Sequence, residues 1–103
     1  MEGVRQTMKF IHFHPEPKGG VTIAYEILTH ENGHTLKFAI AQVSNKDCYC
    51  KQTGRDVSLN NYIQGKTFSI TVKGSGKKLM HRMEIYLNYL ANSIYHLQAN
   101  QEG

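Results

Sequence analysis

Alternating polar and apolar residues mark the first extended segment of the chain. The segment MKFIHFH begins at Met8 and places His12 and His14 on one face, with Ile11 and Phe13 on the other. Such alternation is typical of a β-strand, because successive side chains of a strand point to opposite faces. The segment PEPKGG that follows contains two prolines and two glycines, which predict a turn.

Two longer segments, VTIAYEIL and TLKFAIAQV, show the same alternation and are separated by THENGH. The dipeptide Asn32-Gly33 in the separator accepts the positive φ angles of a tight turn, so the two segments predict an antiparallel hairpin. A fourth strand is predicted at GKTFSITV, where Phe68, Ile70 and Val72 alternate with threonine and serine.

A first helix is predicted over residues 46–63. Ser44 followed by Asp47 fits an N-cap residue with an acidic side chain in the first helical turn. Lys51 and Arg55 then lie one turn apart on this helix and are free to face solvent or a partner.

The segment KKLMHRMEIYLNYLANSIYHLQAN predicts a second, longer helix, because apolar residues recur at steps of three and four. This stripe consists of Met80, Met83, Leu87, Leu90, Ile94 and Leu97. Ile85, Tyr86 and Tyr89 widen the apolar surface beyond the stripe. A helix that is apolar on two sides has both a sheet and a partner to cover, so these three residues are a candidate dimer surface. A homodimer and a monomer are predicted with equal weight.

The predicted order of elements is β-β-β-α-β-α. It indicates an α+β fold, a two-layer sandwich with a mostly antiparallel sheet of about four strands and both helices on one face. The single domain is predicted to span residues 8–99. Residues 1–7 are expected to form a flexible extension, and residues 100–103 a frayed end.

Composition places the chain among globular proteins, since 40% of its 103 residues are hydrophobic and 19% are charged. No apolar run approaches the roughly 18 residues of a membrane span, and the beginning of the chain lacks the apolar centre of a signal peptide. We therefore expect a cytoplasmic protein with reduced cysteines, without a membrane partner and without a cofactor.

The two cysteines, Cys48 and Cys50, do not have the spacing of the usual zinc-binding pair. On a helix, residues two apart point about 200° away from each other and cannot share one metal ion. Cys50, Gly54 and Val57 would share one side of the helix, toward the sheet. The sequence thus predicts that Cys50 packs on the sheet, that Gly54 marks the closest approach, and that Cys48 is the more reactive thiol.

A catalytic site has weak support in the sequence. His12 and His14 point the same way on a strand, as metal-binding pairs do, but only Glu16 and Glu31 are nearby acidic residues. The segment KGSGKK lacks the spacing of a phosphate-binding loop. A metal-dependent enzyme that uses the two histidines is therefore the third hypothesis, and we expect the protein not to be an enzyme.

The net charge of +4 and the sequence pI of about 9.1 favour acidic or nucleic-acid partners. The candidate contact residues are basic side chains, mostly in the second half of the chain, together with Tyr49 and Tyr62, which could stack on bases. The basic candidates are Lys46, Lys51, Arg55, Lys66, Lys73, Lys77, Lys78 and Arg82. A small basic nucleic-acid-binding protein is the second hypothesis.

Residues 38–72, which read FAIAQVSNKDCYCKQTGRDVSL followed by GKTFSITV, resemble short accessory proteins encoded by bacteriophages. The residues that carry the resemblance are Phe38, Ala39, Ser44, Asp47, Tyr49, Lys51, Gly54 and Arg55. The resemblance implies a protein that inhibits a host machine by stoichiometric binding, in the manner of anti-CRISPR or anti-restriction proteins. Its implied partner is a host protein or nucleoprotein complex inside the bacterial cell. This is the first hypothesis.

Overall fold

A computed structural model describes residues 8–74 and 76–102 of the chain. The predicted extension at residues 1–7 and the last residue, Gly103, lie outside this part. Within the described part, neither helix combines the length and the apolar character that a membrane-spanning helix needs.

The described residues form four strands and two helices in the predicted order. The elements are β1 (Lys9–Phe13), β2 (Lys18–His30), β3 (Gly33–Cys48), α1 (Lys51–Ile63), β4 (Phe68–Lys73) and α2 (Lys77–Glu102). The strands make one sheet in the order β1-β2-β3-β4, and every neighbouring pair is antiparallel. The α+β class, the antiparallel sheet and the order of elements are confirmed.

One face of the sheet carries the apolar core and is covered by α2. Alternate residues of β2 and β3 supply the sheet side of this core, namely Val21, Ile23, Tyr25, Leu36 and Phe38. The helix side consists of Met83, Leu87, Ala91 and Tyr95. Steps of four residues turn the contact line by about 40° per step around a helix. The predicted stripe was therefore right at Met83 and Leu87, and its Leu90 and Ile94 also pack against the core. It missed Ala91 and Tyr95 and included Leu97, which is 63% exposed.

The opposite face of the sheet is covered by α1, so the expectation that both helices lie on one face is corrected. The centre of this face consists of small residues, with Thr22 opposite Ala41 and Ala24 opposite Ala39. The sequence pattern suggested a solvent-exposed face because such side chains are small or polar. Small side chains also let a helix lie close to the sheet. Gly54 of α1 is buried there, as predicted.

The boundary between β3 and α1 differs from the prediction. Strand β3 continues to Cys48, which pairs with Lys18, and α1 starts five residues later than the predicted residue 46. Ser44 accepts a hydrogen bond from the backbone N–H of Lys46 within the strand and does not cap the helix. Cys50 occupies the N-cap position instead.

Candidate functional site

The core-side face of β4 is left uncovered by both helices. Helix α2 packs against β1, β2 and β3, and neither helix packs its backbone against β4. A helix is about 10 Å wide and strands lie about 4.8 Å apart, so one helix covers roughly two strands. A four-stranded sheet with one helix on this face therefore retains an apolar strip at its edge.

This strip forms an open groove of about 280 Å³ between α2 and the β3–β4 pair. We call it the α2–β4 groove, and it is lined by Leu36, Ile70, Val72, Leu79, Arg82, Met83 and Tyr86. The same side of β4 also carries Phe68, which packs against Phe38 with ring centroids 5.5 Å apart and remains 51% exposed. The lining is thus almost entirely apolar, apart from the guanidinium of Arg82 and the hydroxyl of Tyr86.

Four basic side chains lie around the beginning of α2, at one end of the α2–β4 groove. Lys73, Lys77, Lys78 and Arg82 are all exposed, and within the described residues none of them forms an ion pair. The first turn of α2 contains no acidic residue. Positive side chains are unfavourable at this end, because the helix dipole already places partial positive charge there. A negatively charged partner would relieve this repulsion.

The candidate dimer residues extend the apolar surface of α2 beyond the groove. Ile85 is 53% exposed and Tyr89 is 69% exposed, while Tyr86 belongs to the groove lining. Their exposure fits a surface that receives a partner. The homodimer remains a prediction.

A second surface lies on the other face of the molecule, where the edge strand β1 meets the first turns of α1. Phe10 and His12 of β1 lie on this side, followed by His14 directly after the strand, and Lys51 and Arg55 of α1 are exposed beside them. The Arg55 guanidinium carbon lies 6.0 Å from the centroid of the Phe10 ring. We call these five residues the β1–α1 surface.

Beneath the β1–α1 surface, Tyr49 ties three elements together. Its hydroxyl oxygen lies 2.6 Å from His12 Nδ1 and 2.5 Å from Thr22 Oγ1. Burial lowers the pKa of His12, and the positive charges of Lys51 and Arg55 lower it further. The neutral imidazole is therefore the form that this network stabilises.

The ring of Tyr49 is in close contact with His14 and Gly20. His14 stacks on one face, with ring centroids 4.3 Å apart and planes 13° apart. On another side Gly20 approaches so closely that an added Cβ would lie 2.3 Å from a Tyr49 ring carbon. Little of the ring is left for a nucleic-acid base, and the exposed ring at this place is His14.

Tyr62, the other tyrosine assigned to base stacking, is also engaged within the fold. Its hydroxyl donates a hydrogen bond to Glu26, and Lys37 Nζ lies 5.3 Å from its ring centroid. Burial, together with the Glu26 carboxylate, raises the pKa of Tyr62. Its contacts give it a role in holding α1 on the sheet.

The predicted contact residues lie in separate parts of the structure. Lys51 and Arg55 lie on the β1–α1 surface, whereas the basic residues from Lys73 to Arg82 lie around the groove. Lys46 is exposed on the last part of β3, and Lys66 lies in the turn after α1. Sequence reasoning did not identify Phe10 as a site residue, and of the apolar groove lining it identified Tyr86 alone. The alternation of Phe10 with the β1 histidines was a usable signal, but the groove depends on how α2 crosses the sheet.

The two cysteines are exposed and free, so the prediction that Cys50 packs on the sheet is wrong. As a thiol, Cys50 makes no capping hydrogen bond. The hydroxyl and the backbone N–H of Thr53, with the N–H of Gln52, stabilise its thiolate and lower the pKa of Cys50. Backbone N–H groups at a helix start favour an anion for the same reason.

Among residues 8–74 and 76–102, no group of three His, Cys, Asp or Glu side chains is placed to hold a metal ion. His12 is bonded to Tyr49 and Thr22, and His14 is stacked on Tyr49. Comparisons of the chain with family models, with curated proteins and with solved structures gave no match.

Proposed function

We propose that this chain is a non-enzymatic accessory protein that binds another protein stoichiometrically and thereby inhibits a host machine, as small phage-encoded proteins do. The α2–β4 groove is the observation that carries the proposal. It presents apolar side chains on a sheet face that the fold itself leaves uncovered. Exposed apolar surface of this kind, next to tyrosines, is typical of protein-binding sites. The sequence resemblance at residues 38–72 supports the phage context.

The chemistry of the groove favours an acidic amphipathic helix as its occupant. The groove is open toward the edge strand β4, so a helix lying along it would set its apolar face against Ile70, Val72 and Tyr86. Acidic residues near one end of that helix would meet Arg82 and the lysines around the start of α2. Such pairs at the rim contribute mainly to the rate and the specificity of association.

A second copy of this chain is the competing occupant, through Ile85, Tyr86 and Tyr89. A second copy bound through these residues would place its own Arg82, one turn from Tyr86, close to Arg82 and the exposed lysines around the start of α2. Because these cations have no acidic partner within the described residues, this arrangement is electrostatically unfavourable. The charge pattern thus favours an acidic partner over self-association.

Affinity capture from a bacterial lysate treated with nuclease tests the proposal. Tyr86→Ala removes part of the groove lining, and Arg82→Glu reverses the charge at its rim. We expect both to lose the partner that the wild-type protein retains, with at least tenfold weaker binding for Tyr86→Ala, as is usual for a buried aromatic contact. The matched control, Arg55→Glu, makes the same charge change on the opposite face and should retain the partner.

Stoichiometry then separates binding from turnover. The partner identified by mass spectrometry is purified and mixed with increasing amounts of this protein. We expect its activity to be abolished at about one equivalent, without dependence on incubation time. Retention of the partner by Tyr86→Ala and Arg82→Glu, or inhibition by catalytic amounts of the protein, would contradict the proposal. Concentration-dependent dimerisation that Tyr86→Ala abolishes would instead identify a second copy as the occupant.

A further inference from the structure

We propose that the β1–α1 surface binds single-stranded nucleic acid, and that it does so independently of the α2–β4 groove. The site consists of two ring-bearing residues, Phe10 and His14, and two cations, Lys51 and Arg55. Binding of single strands without sequence preference requires these two components, a positive track for the phosphates and rings on which bases stack. The proposal does not rest on the proposed inhibitory function, since it concerns the opposite face of the sheet.

The positive charge of the surface is not neutralised by the fold. Lys51 and Arg55 have no ion-pair partner within the described residues. The nearest acidic residue along α1 is Asp56, and its carboxylate accepts a hydrogen bond from the side-chain amide of Gln52 at 3.0 Å. The charges of Lys51, Arg55 and His14 are all close enough to His12 to lower its pKa. Two permanent cations, Lys51 and Arg55, therefore lie beside the histidines at one edge of the sheet.

The ring of His14 is held in a fixed orientation by the residues beneath it, which leaves its outer face for a base to stack on. Tyr49 lies beneath it, and Tyr49 is itself fixed by Gly20 and by hydrogen bonds to His12 and Thr22. Because the imidazole is already ordered, a base that stacks on its outer face pays little further conformational entropy. Phe10 is half-buried under Arg55, and the two residues together offer a second apolar and cationic contact.

The geometry favours a single strand over a duplex. A helix that reads a duplex enters the major groove and must project from the protein. Helix α1 instead lies flat on the sheet, with Gly54 and Ser58 buried against it and Asn61 bonded to the backbone oxygen of Ile40. Rings at a strand edge reach bases only when these are unstacked, which is the condition of a single strand.

The test uses purified protein and a fluorescein-labelled oligothymidylate of about 20 nucleotides, a length that covers one or two binding sites of this kind. Fluorescence anisotropy is measured at about 50 mM salt, where phosphate contacts are strong. We expect tighter binding of the single strand than of a duplex of the same length. The double variant Lys51→Glu/Arg55→Glu should lose at least tenfold in affinity, because two phosphate contacts become repulsive.

Two further variants separate a built site from general charge attraction. The double variants are also compared at about 150 mM salt, where exposed charges more than about 8 Å apart are largely screened. There Lys77→Glu/Lys78→Glu, the same charge change at the start of α2, should leave oligothymidylate affinity within about twofold of wild type. His14→Ala should lower affinity about fivefold or more, the loss of one stacked base, with an unchanged dependence on salt. Circular dichroism checks that each variant is folded. Equal losses in the two double variants, tighter binding of the duplex, or wild-type affinity in His14→Ala would each overturn the proposal.

Discussion

Gly54 is the residue at which α1 comes closest to the sheet. A Cβ at this position would lie 2.2 Å from Thr22 Oγ1 and 3.1 Å from Thr22 Cβ. The hydroxyl of Thr22 has no room to withdraw, because it is bonded to Tyr49. The lack of a side chain at Gly54 is therefore required by packing, even though glycine costs about 1 kcal/mol in helix propensity relative to alanine.

We predict that Gly54→Ala destabilises the protein by about 1 to 2 kcal/mol, since overpacking costs about 1 to 3 kcal/mol and the gain in helix propensity offsets part of it. The free energy of unfolding in urea measures the effect. Asn60→Ala, at an exposed position of the same helix, is the control and should be neutral or slightly stabilising. An increase in stability for Gly54→Ala would show that α1 does not lie this close to the sheet.

Cys50 is expected to be the more reactive of the two thiols, in contrast to the prediction from helical spacing. Its pKa is lowered by the hydroxyl and the N–H of Thr53, and the thiolate is the form that reacts with electrophiles. We predict that Cys48→Ser reacts with iodoacetamide faster at neutral pH than Cys50→Ser does. Thr53→Val, which removes the hydroxyl, should shift the pH dependence of the Cys50 reaction to higher pH. Equal rates for the two single-cysteine variants would contradict this assignment.

Strand β1 connects the two helices through its two faces. Ile11 and Phe13 face α2, and Phe13 meets Tyr95 with ring centroids 5.5 Å apart. His12 faces α1 and is bonded to Tyr49. Because the pKa of His12 in the folded protein lies below its ordinary value of 6.5, the unfolded chain binds the proton more tightly. Stability is therefore fully present above pH 6.5 and is lost as the pH falls through the lower pKa of the folded state.

We predict that the free energy of unfolding decreases as the pH falls from about 7.5 to about 5, the ordinary range of histidine titration. In His12→Gln the free energy of unfolding should fall less over the same pH range. Urea unfolding at each pH gives the free energy of unfolding of the wild type and of the variant. The slopes of this free energy against pH are compared, and a lower stability of the variant at every pH does not change the slope. His81→Gln, on the exposed side of α2, is the control and should keep the wild-type slope. An identical slope in His12→Gln would show that the network does not hold the imidazole neutral.

The elements show which features a sequence pattern can specify. Alternation located all four strands, and the apolar repeat located α2, because these patterns depend only on the periodicity of each element. The start of α1 was misplaced because β3 extends through Ser44 and Asp47, which have the residue types of a helix start. Extended pairing with Lys18 and a hydrogen bond from the Tyr49 N–H to the Pro17 oxygen are tertiary contacts that no local pattern reveals.

At the scale of the molecule, the side of the sheet that each helix covers could not be predicted from periodicity. The two candidate surfaces follow from that arrangement, since α1 brings Lys51 and Arg55 to β1, and α2 leaves β4 uncovered. The residue types of the sites were visible in the sequence, but their grouping depended on which faces the helices cover. Tyr49 and Tyr62, which resembled stacking residues in the sequence, were taken up by contacts inside the fold.

The two edge strands offer a comparison within one molecule. Strands β1 and β4 have five and six residues and each pairs with a single neighbouring strand. Both helices pack against β1, whereas neither helix packs its backbone against β4. The side-chain hydrogen bond between Thr35 and Thr71, at 3.0 Å, lies at an exposed site and adds little to the attachment of β4. Local opening should therefore need less free energy at β4 than at β1.

We predict that the amides of β4 that bond to β3 exchange with deuterium faster than those of β1, and that those of β2 are the slowest, because β2 is paired on both edges and covered on both faces. Hydrogen exchange followed by mass spectrometry measures the three segments in one experiment. A partner that fills the α2–β4 groove would cover Ile70 and Val72. It should therefore slow deuterium exchange in β4 and leave exchange in β1 unchanged. An oligonucleotide bound at Phe10 and His14 should slow exchange in β1 and leave that in β4 unchanged. Equal protection of the two edge strands in the free protein would show that β4 is held as firmly as β1.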